Sequence, residues 1–291
     1  MKQQIMKQSS PTALDVTTAA NNQFGIDQGK TEPDSRGLVQ SRTIFLLMTV
    51  IHVSLMHAAY FILVETFSFP EILRVPAEDM LAAFQAHAEL NRGAYYLFTL
   101  SGFSFILVHI FLYHSFGRHS SIAAAGRTLA VIAGLLQSLG FGRWVFLVPW
   151  IADVTLTHPE QSDTAVLILE AFHLYAGVLA GENLAFLAHG IAGILFCVHM
   201  LRDHSVPRFF AVSGIPVHAG IGLYSLEQFG GSFAALGPLN VVFQVFWLLW
   251  LLSTAVYLYR GGRQLALIQP GKWGYCSMVV LLIAMLAAAL A

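Results

Sequence analysis

The chain has 291 residues, of which 56% are hydrophobic and only 11% charged, with a formal net charge of -1. Soluble domains carry about 25% charged residues, so this composition excludes an ordinary water-soluble enzyme, and the near-neutral charge offers no basic footprint for nucleic acid. The two cysteines, Cys197 and Cys276, both lie in apolar runs, which argues against a disulfide framework or a zinc cluster.

The chain opens on a polar stretch, residues 1–41, rich in Gln, Ser, Thr, Asn and Asp. It has too little apolar periodicity to pack and reads as a disordered cytoplasmic tail. It is too long and polar for the n-region of a signal peptide, and the apolar run after it exceeds a signal h-region. A membrane span needs roughly 20 predominantly apolar residues. Six runs meet that standard within 42–260: Thr43 to Val64, Ala94 to Phe116, Thr128 to Ile151, Asn183 to Leu201, Phe209 to Leu226 and Leu239 to Tyr259. A cytoplasmic turn and a seventh, shorter apolar run, Tyr275 to Ala291, fill 261–291. That run is either a terminal span or a helix against the bundle.

Basic residues set the orientation. With the tail inside, the inner segments hold Lys2, Lys7, Lys30, Arg36, Arg42, Arg118, Arg127, Arg202, Arg208, Arg260, Arg263 and Lys272, leaving Arg74, Arg92 and Arg143 on the other side. Three hairpins follow. The first two have long outer connections, Glu65 to Gly93 and Ala152 to Glu182. Met80, Leu81, Phe84, His87 and Ala88 recur at helical spacing in one, and Val166, Leu169, Phe172, His173 and Ala176 in the other. Long structureless loops are uncommon, so both are read as amphipathic helices capping the outer face. The fold expected is an all-α integral membrane protein of six or seven helices, surrounded by membrane lipids.

Three motifs carry a resemblance: Gly140-Phe-Gly-Arg-Trp-Val-Phe-Leu-Val-Pro-Trp150, Phe172-His-Leu-Tyr-Ala-Gly177 and Gly181-Glu-Asn-Leu184. With Asp79-Met-Leu-Ala-Ala-Phe84 and Pro238-Leu-Asn-Val-Val242, the stretch from Arg42 to Arg260 resembles a bacterial multi-pass membrane family known as domain of unknown function 4386. That family often has His where this chain has Asn183. The resemblance implies the architecture and a bacterial inner-membrane setting, and implies no activity.

Ionisable groups in a span are costly unless they face the bundle or water, which makes them candidates for function. Arg143, about two turns from the outer end of the third span, can hold a carboxylate or phosphate, or pair internally with Glu170 or Glu182. Glu170 and His173 are three apart and share a helix face. Their Glu-x-x-His spacing is that of di-iron bundles, which need a second copy and two more carboxylates. Glu182 opens the fourth span, where the helix dipole favours a carboxylate, and His189 follows two turns on. Gly177 and Gly181 form a small-xxx-small pair suited to helix packing. Asp153 reads as an interfacial acid.

Of the twelve histidines, four pairs are five apart, a spacing that puts the members on different helix faces. Across helices, His109 with His199 and His57 with His218 lie at similar depth, the geometry of bis-histidine haem b ligation. Hydrogen-bonded interior histidines are the default reading, with haem ligation a geometric possibility, and no metal or other cofactor is expected. No Gly-x-Ser-x-Gly elbow or phosphate-binding Gly-rich loop occurs, and no Lys falls inside the six spans. Three function classes stay open. One is a binding or transport-like module taking a small anionic or amphipathic ligand into an outward pocket of Arg143, Glu170, His173, Glu182 and His189. Another is a membrane enzyme or haem-binding redox protein, using Glu170 and His173 or cross-helix histidines. The last is a structural membrane protein. Oligomeric state is not legible in the sequence.

Overall fold

A computed structural model describes residues 35–204 and 206–261. The tail up to residue 34 and the run Tyr275 to Ala291 lie outside the described residues. Among those described there is no strand, and six helices are long and apolar enough to cross a membrane. The protein is an all-α multi-pass membrane protein.

The spans are α1 (Ser35–Phe67), α3 (Ala88–His114), α4 (Ser121–Thr157), α6 (Ala185–Asp203), α7 (Arg208–Leu223) and α8 (Leu236–Tyr259). Between them, α2 (Ala77–Ala86) and α5 (Ser162–Phe172) occupy the two long connections. Alpha-helix is the economical answer in lipid because it satisfies every backbone group within its own segment. Large apolar side chains face outward, among them Leu47, Val50, Phe61, Phe103, Leu135, Leu139, Phe146 and Leu249, the surface character expected of a membrane-spanning bundle.

Two boundaries differ from the hydropathy reading. Helix α1 begins at Ser35, ahead of the apolar run, since Gln40 and Arg42 are as compatible with helix as with coil once the span behind them has nucleated it. The fourth span has no break at Asn183: α5 leads through a π-helical segment, His173–Leu184, straight into α6. That unbroken run of 45 residues, Pro159–Asp203, would measure about 67 Å as ideal α-helix against a hydrocarbon core about 30 Å thick. The run is therefore longer than a single crossing requires.

Helix starts and breaks have local causes. The Ser120 side chain accepts from the Ala123 amide and caps α4. Pro149 lies inside α4 and has no N–H to give the Val145 carbonyl. Arg92 donates from Nε to that carbonyl at 3.1 Å instead.

The buried apolar side chains form two clusters. One joins Phe45, Phe105, Val108, Leu112, Phe196, Met200, Trp247 and Leu251 along the shafts of the spans. The other joins Leu63, Phe67, Met80, Leu81, Phe84, Tyr95, Trp144, Val148 and Leu169 where α2 and α5 cover the bundle. In α2, Met80, Leu81 and Phe84 are buried as the spacing predicts, while His87 is exposed. In α5 and the π segment, Leu169 and His173 turn inward and Phe172 outward. Lipid tails are as apolar as leucine, so spans associate through close packing rather than hydrophobic exclusion. Glycines permit it: a Cβ at Gly190 would stand 2.5 Å from the Gly222 Cα, and one at Gly140 would stand 3.0 Å from the Gly181 Cα.

Candidate functional site

Arg143 projects from α4 against the π segment, where it meets His173 and Gly177, and is only 8% exposed. Its Nη1 donates to the Gly140 carbonyl. Its Nη2 lies 3.2 Å from the His173 Nδ1. The His173 Nε2 lies 3.1 Å from the Leu73 carbonyl, an oxygen that can only accept, so Nε2 carries the proton and Nδ1 accepts from Arg143. The guanidinium rests on Gly177, where a Cβ would come within 2.4 Å of Nη2, and its Cζ sits 5.3 Å from the Trp144 ring centre. Nε has no partner among the described residues. Nor does any described carboxylate come within ion-pair distance.

The carboxylate that the sequence offers to Arg143 is taken by another arginine. Arg74, in a 3-10 turn (Glu71–Arg74) before α2, bridges Glu182 and Glu227, with Nη2 2.8 Å from an oxygen of each. Its side chain is 40% exposed, whereas those of Glu182 and Glu227 are 12% and 14% exposed. Gln228 donates to the same Glu182 oxygen at 2.7 Å, and the Tyr224 hydroxyl does so at 3.4 Å. Burial opposes the Arg74 charge, but the field of Glu182 and the hydrogen bonds with Glu227 and Glu182 outweigh it and raise its pKa above the ordinary value. Leu73, which accepts from His173, is the residue next to Arg74, so the two arginine clusters are coupled through one peptide. Sequence reasoning missed Arg74, Glu227, Tyr224 and Gln228. The available signal was that Arg74 is one of only three basic residues outside the inner segments.

The other predicted site residues separate. Glu170 is exposed and takes no part in the Arg143 cluster, so its spacing from His173 is not used. Asp153 is likewise exposed. Asn183 donates to the Ser225 carbonyl at 2.7 Å, tying the π segment to the 3-10 turn that follows α7. Of the paired glycines, Gly181 packs against Gly140 and Gly177 cradles Arg143. His189 sits deeper, in contact with Phe105, His109, His218 and Trp247.

The histidines considered for haem have the following surroundings. His57 is exposed and bonds its own helix at Val53, whereas His218 is buried beside Trp250. His109 touches Phe196, Phe196 touches Phe116, and Phe116 touches His199, which is itself bonded to Ser120. Among the described residues no group of three His, Cys, Asp or Glu is arranged to hold a metal ion.

The profile of one protein family, described as a domain of unknown function (DUF4386), matches residues 43–261. The chain belongs to the DUF4386 family. The match covers α1 from residue 43 onward, the other five spans and both arginine clusters, and it confirms the resemblance carried by the Arg143, Phe172 and Gly181 motifs. No curated protein and no solved structure matches the chain.

Proposed function

We propose that this DUF4386 protein is a binding or transport-like module for a small anionic or amphipathic ligand, with Arg143 as its anchor and His173 as the group that orients it. The observation that carries the reading is the buried Arg143 guanidinium without a carboxylate partner among the described residues. Burying a charge without a counter-charge is strongly unfavourable. A chain that only needed packing would place an apolar side chain there. Arg74 supplies a second, half-exposed guanidinium on the approach, where Glu182 and Glu227 hold it and a ligand carboxylate or phosphate would compete for it.

Irregular backbone at this level supports the same reading, since transporters build anion sites where helices are broken. Here the π segment carries His173, Gly177 and Glu182, and α7 ends in a 3-10 turn, Tyr224–Phe229. We infer that this end faces outward across a bacterial inner membrane and that the N-terminus is cytoplasmic. Arg42, Arg118, Arg127, Arg202, Arg208 and Arg260 crowd the opposite end of the spans, as the positive-inside tendency requires.

The test is native mass spectrometry of the full chain released from mild detergent, comparing wild type with Arg143→Gln, with inorganic phosphate and acetate added as probes. An anion or acidic lipid retained by wild type and lost from a folded variant supports the site. Equal masses in both at every probe concentration overturn it. A retained haem or metal moves the redox alternative to the front.

A further inference from the structure

The centre of the bundle holds a second polar site of opposite character. A cavity of about 40 Å³ is lined by His52, Gln137, His189, Gln244 and Trp247, with Met56, Phe141 and Phe186 completing its wall. His52 from α1 and His189 from α6 are each about 1% exposed. Buried polar atoms without a partner among the described residues gather here: His52 Nε2, both ring nitrogens of His189, and Trp247 Nε1. The neighbouring His218 adds an unpartnered Nε2, its ring centre 5.9 Å from that of His189.

Tautomers give the site its sign. His52 Nδ1 lies 3.1 Å from the Ser101 carbonyl, His109 Nδ1 2.9 Å from the Phe105 carbonyl and His218 Nδ1 2.7 Å from the Gly214 carbonyl. Each carbonyl can only accept, so in all three rings Nδ1 carries the proton and Nε2 offers a lone pair. His52 and His218 therefore present bare lone pairs beside His189. Sites that bind anions present N–H groups, as Arg143 does. Lone pairs from two rings facing His189, with the Trp247 indole N–H beside them, suit a water that carries a proton. The cavity is large enough for water, which needs roughly 10–15 Å³ and two to four polar partners.

We propose that the cavity between His52 and His189 is a water-bridged proton-binding site at the middle of the membrane, with His189 as the residue that takes up the proton. A proton delivered by a cavity water forms a bond with the lone pair of one His189 ring nitrogen. The proton on the other ring nitrogen then leaves to the next water or lone pair, and the ring returns to neutral as the opposite tautomer. The titratable groups facing His189 are His52 from α1, His109 from α3 and His218 from α7. Gln137 from α4 and Gln244 and Trp247 from α8 are neutral. Phe186 lines the cavity and touches Tyr224, whose hydroxyl donates to Glu182, so the proton site adjoins the Arg74 network through one aromatic pair. The proposal stands apart from the anion reading, because it needs no ligand at Arg143.

Solid-state NMR of the full chain in lipid bilayers, with ¹⁵N-labelled histidine, tests it across the pH range in which the protein stays folded. His189 is assigned from His189→Gln, or by elimination from His52→Gln, His109→Gln and His218→Gln if that variant does not fold. We expect contacts from the His189 ring nitrogens to water and conversion to an imidazolium signal as pH falls. In His52→Phe, which removes the facing lone pair, the midpoint shifts to lower pH. A ring without water contact, a ring neutral across the whole range, or a signal that changes only on chelator treatment overturns the proposal. None of these outcomes depends on phosphate or acetate, so the two proposals fail separately.

Discussion

At the scale of single residues, Arg143 is held by contacts that leave its charge unanswered, and this has measurable consequences. Replacing a buried ion by an apolar side chain of similar volume is often neutral or stabilising. Arg143→Met is therefore expected to keep or raise the thermal midpoint in detergent while removing anion binding. Gly177→Ala places a Cβ against the guanidinium and is expected to cost about 1–3 kcal/mol. The double variant should recover most of that loss, because the methyl then meets a pliable thioether chain. A double-mutant cycle on unfolding reads the coupling, and simple additivity would mean that the two groups do not touch. Arg74 behaves differently. Its folded pKa is raised by its carboxylate partners, so its contribution to stability is present while Glu182 and Glu227 are ionised and, on the alkaline side, disappears only in strong alkali. Arg74→Gln should thus lower the thermal midpoint near neutral pH, and high salt should shrink the difference because Arg74 is half-exposed. How much of this was legible beforehand also divides by residue. Arg143, His173 and Glu182 stand out as ionisable groups near span ends, but the exchange of partners does not, since Arg74 and Glu182 are 108 positions apart. Composition and periodicity report which face a residue occupies, and not which distant side chain meets it.

At the scale of elements, the spans were legible because lipid leaves so little choice: a long apolar run must be helical and must cross or lie along the bilayer. The π segment was not. Its residues, His173–Leu184, carry no pattern that separates i→i+5 from i→i+4 bonding, and the difference arises from what the helix meets, namely Gly140, Arg143 and the end of α7. Small residues decide which helices come close. Gly190→Ala sets a methyl 2.5 Å from the Gly222 Cα, and backbone cannot swing aside as a side chain can. This single methyl is expected to lower stability by about 1–3 kcal/mol, measured by thermal unfolding in detergent. Gly142→Ala, where a Cβ meets nothing within 4 Å, serves as the control and should change little. Equal effects at both positions would show that helix propensity, not the α6–α7 approach, governs the response.

At the scale of the whole molecule, the protein layers two chemistries along one bundle, N–H groups at the Arg74 end and lone pairs at the centre. The sidedness proposed from the basic residues is directly measurable. With Cys197 and Cys276 replaced by Ser, a cysteine at exposed Gln161 should react with an impermeant thiol reagent from outside intact cells, and one at exposed Ser121 should react only after the membrane is opened. The reverse pattern would invert the orientation and place Arg74 in the cytoplasm. The continuous path from α5 through the π segment into α6 has a further consequence, in the currency of chain length. Each residue of a helix advances the chain by a fixed angle about its axis, so deleting one residue between Gly177 and Gly181 would remove one such step if the helix stayed continuous. Everything before the deletion would then rotate by about 100° about the helix axis relative to α6. His173 would swing off Arg143 while Glu182 and His189 kept their places. Insertions and deletions in this stretch thus act as a dial on the angular setting between the covering layer and the spans, one that no substitution of a single side chain can reproduce.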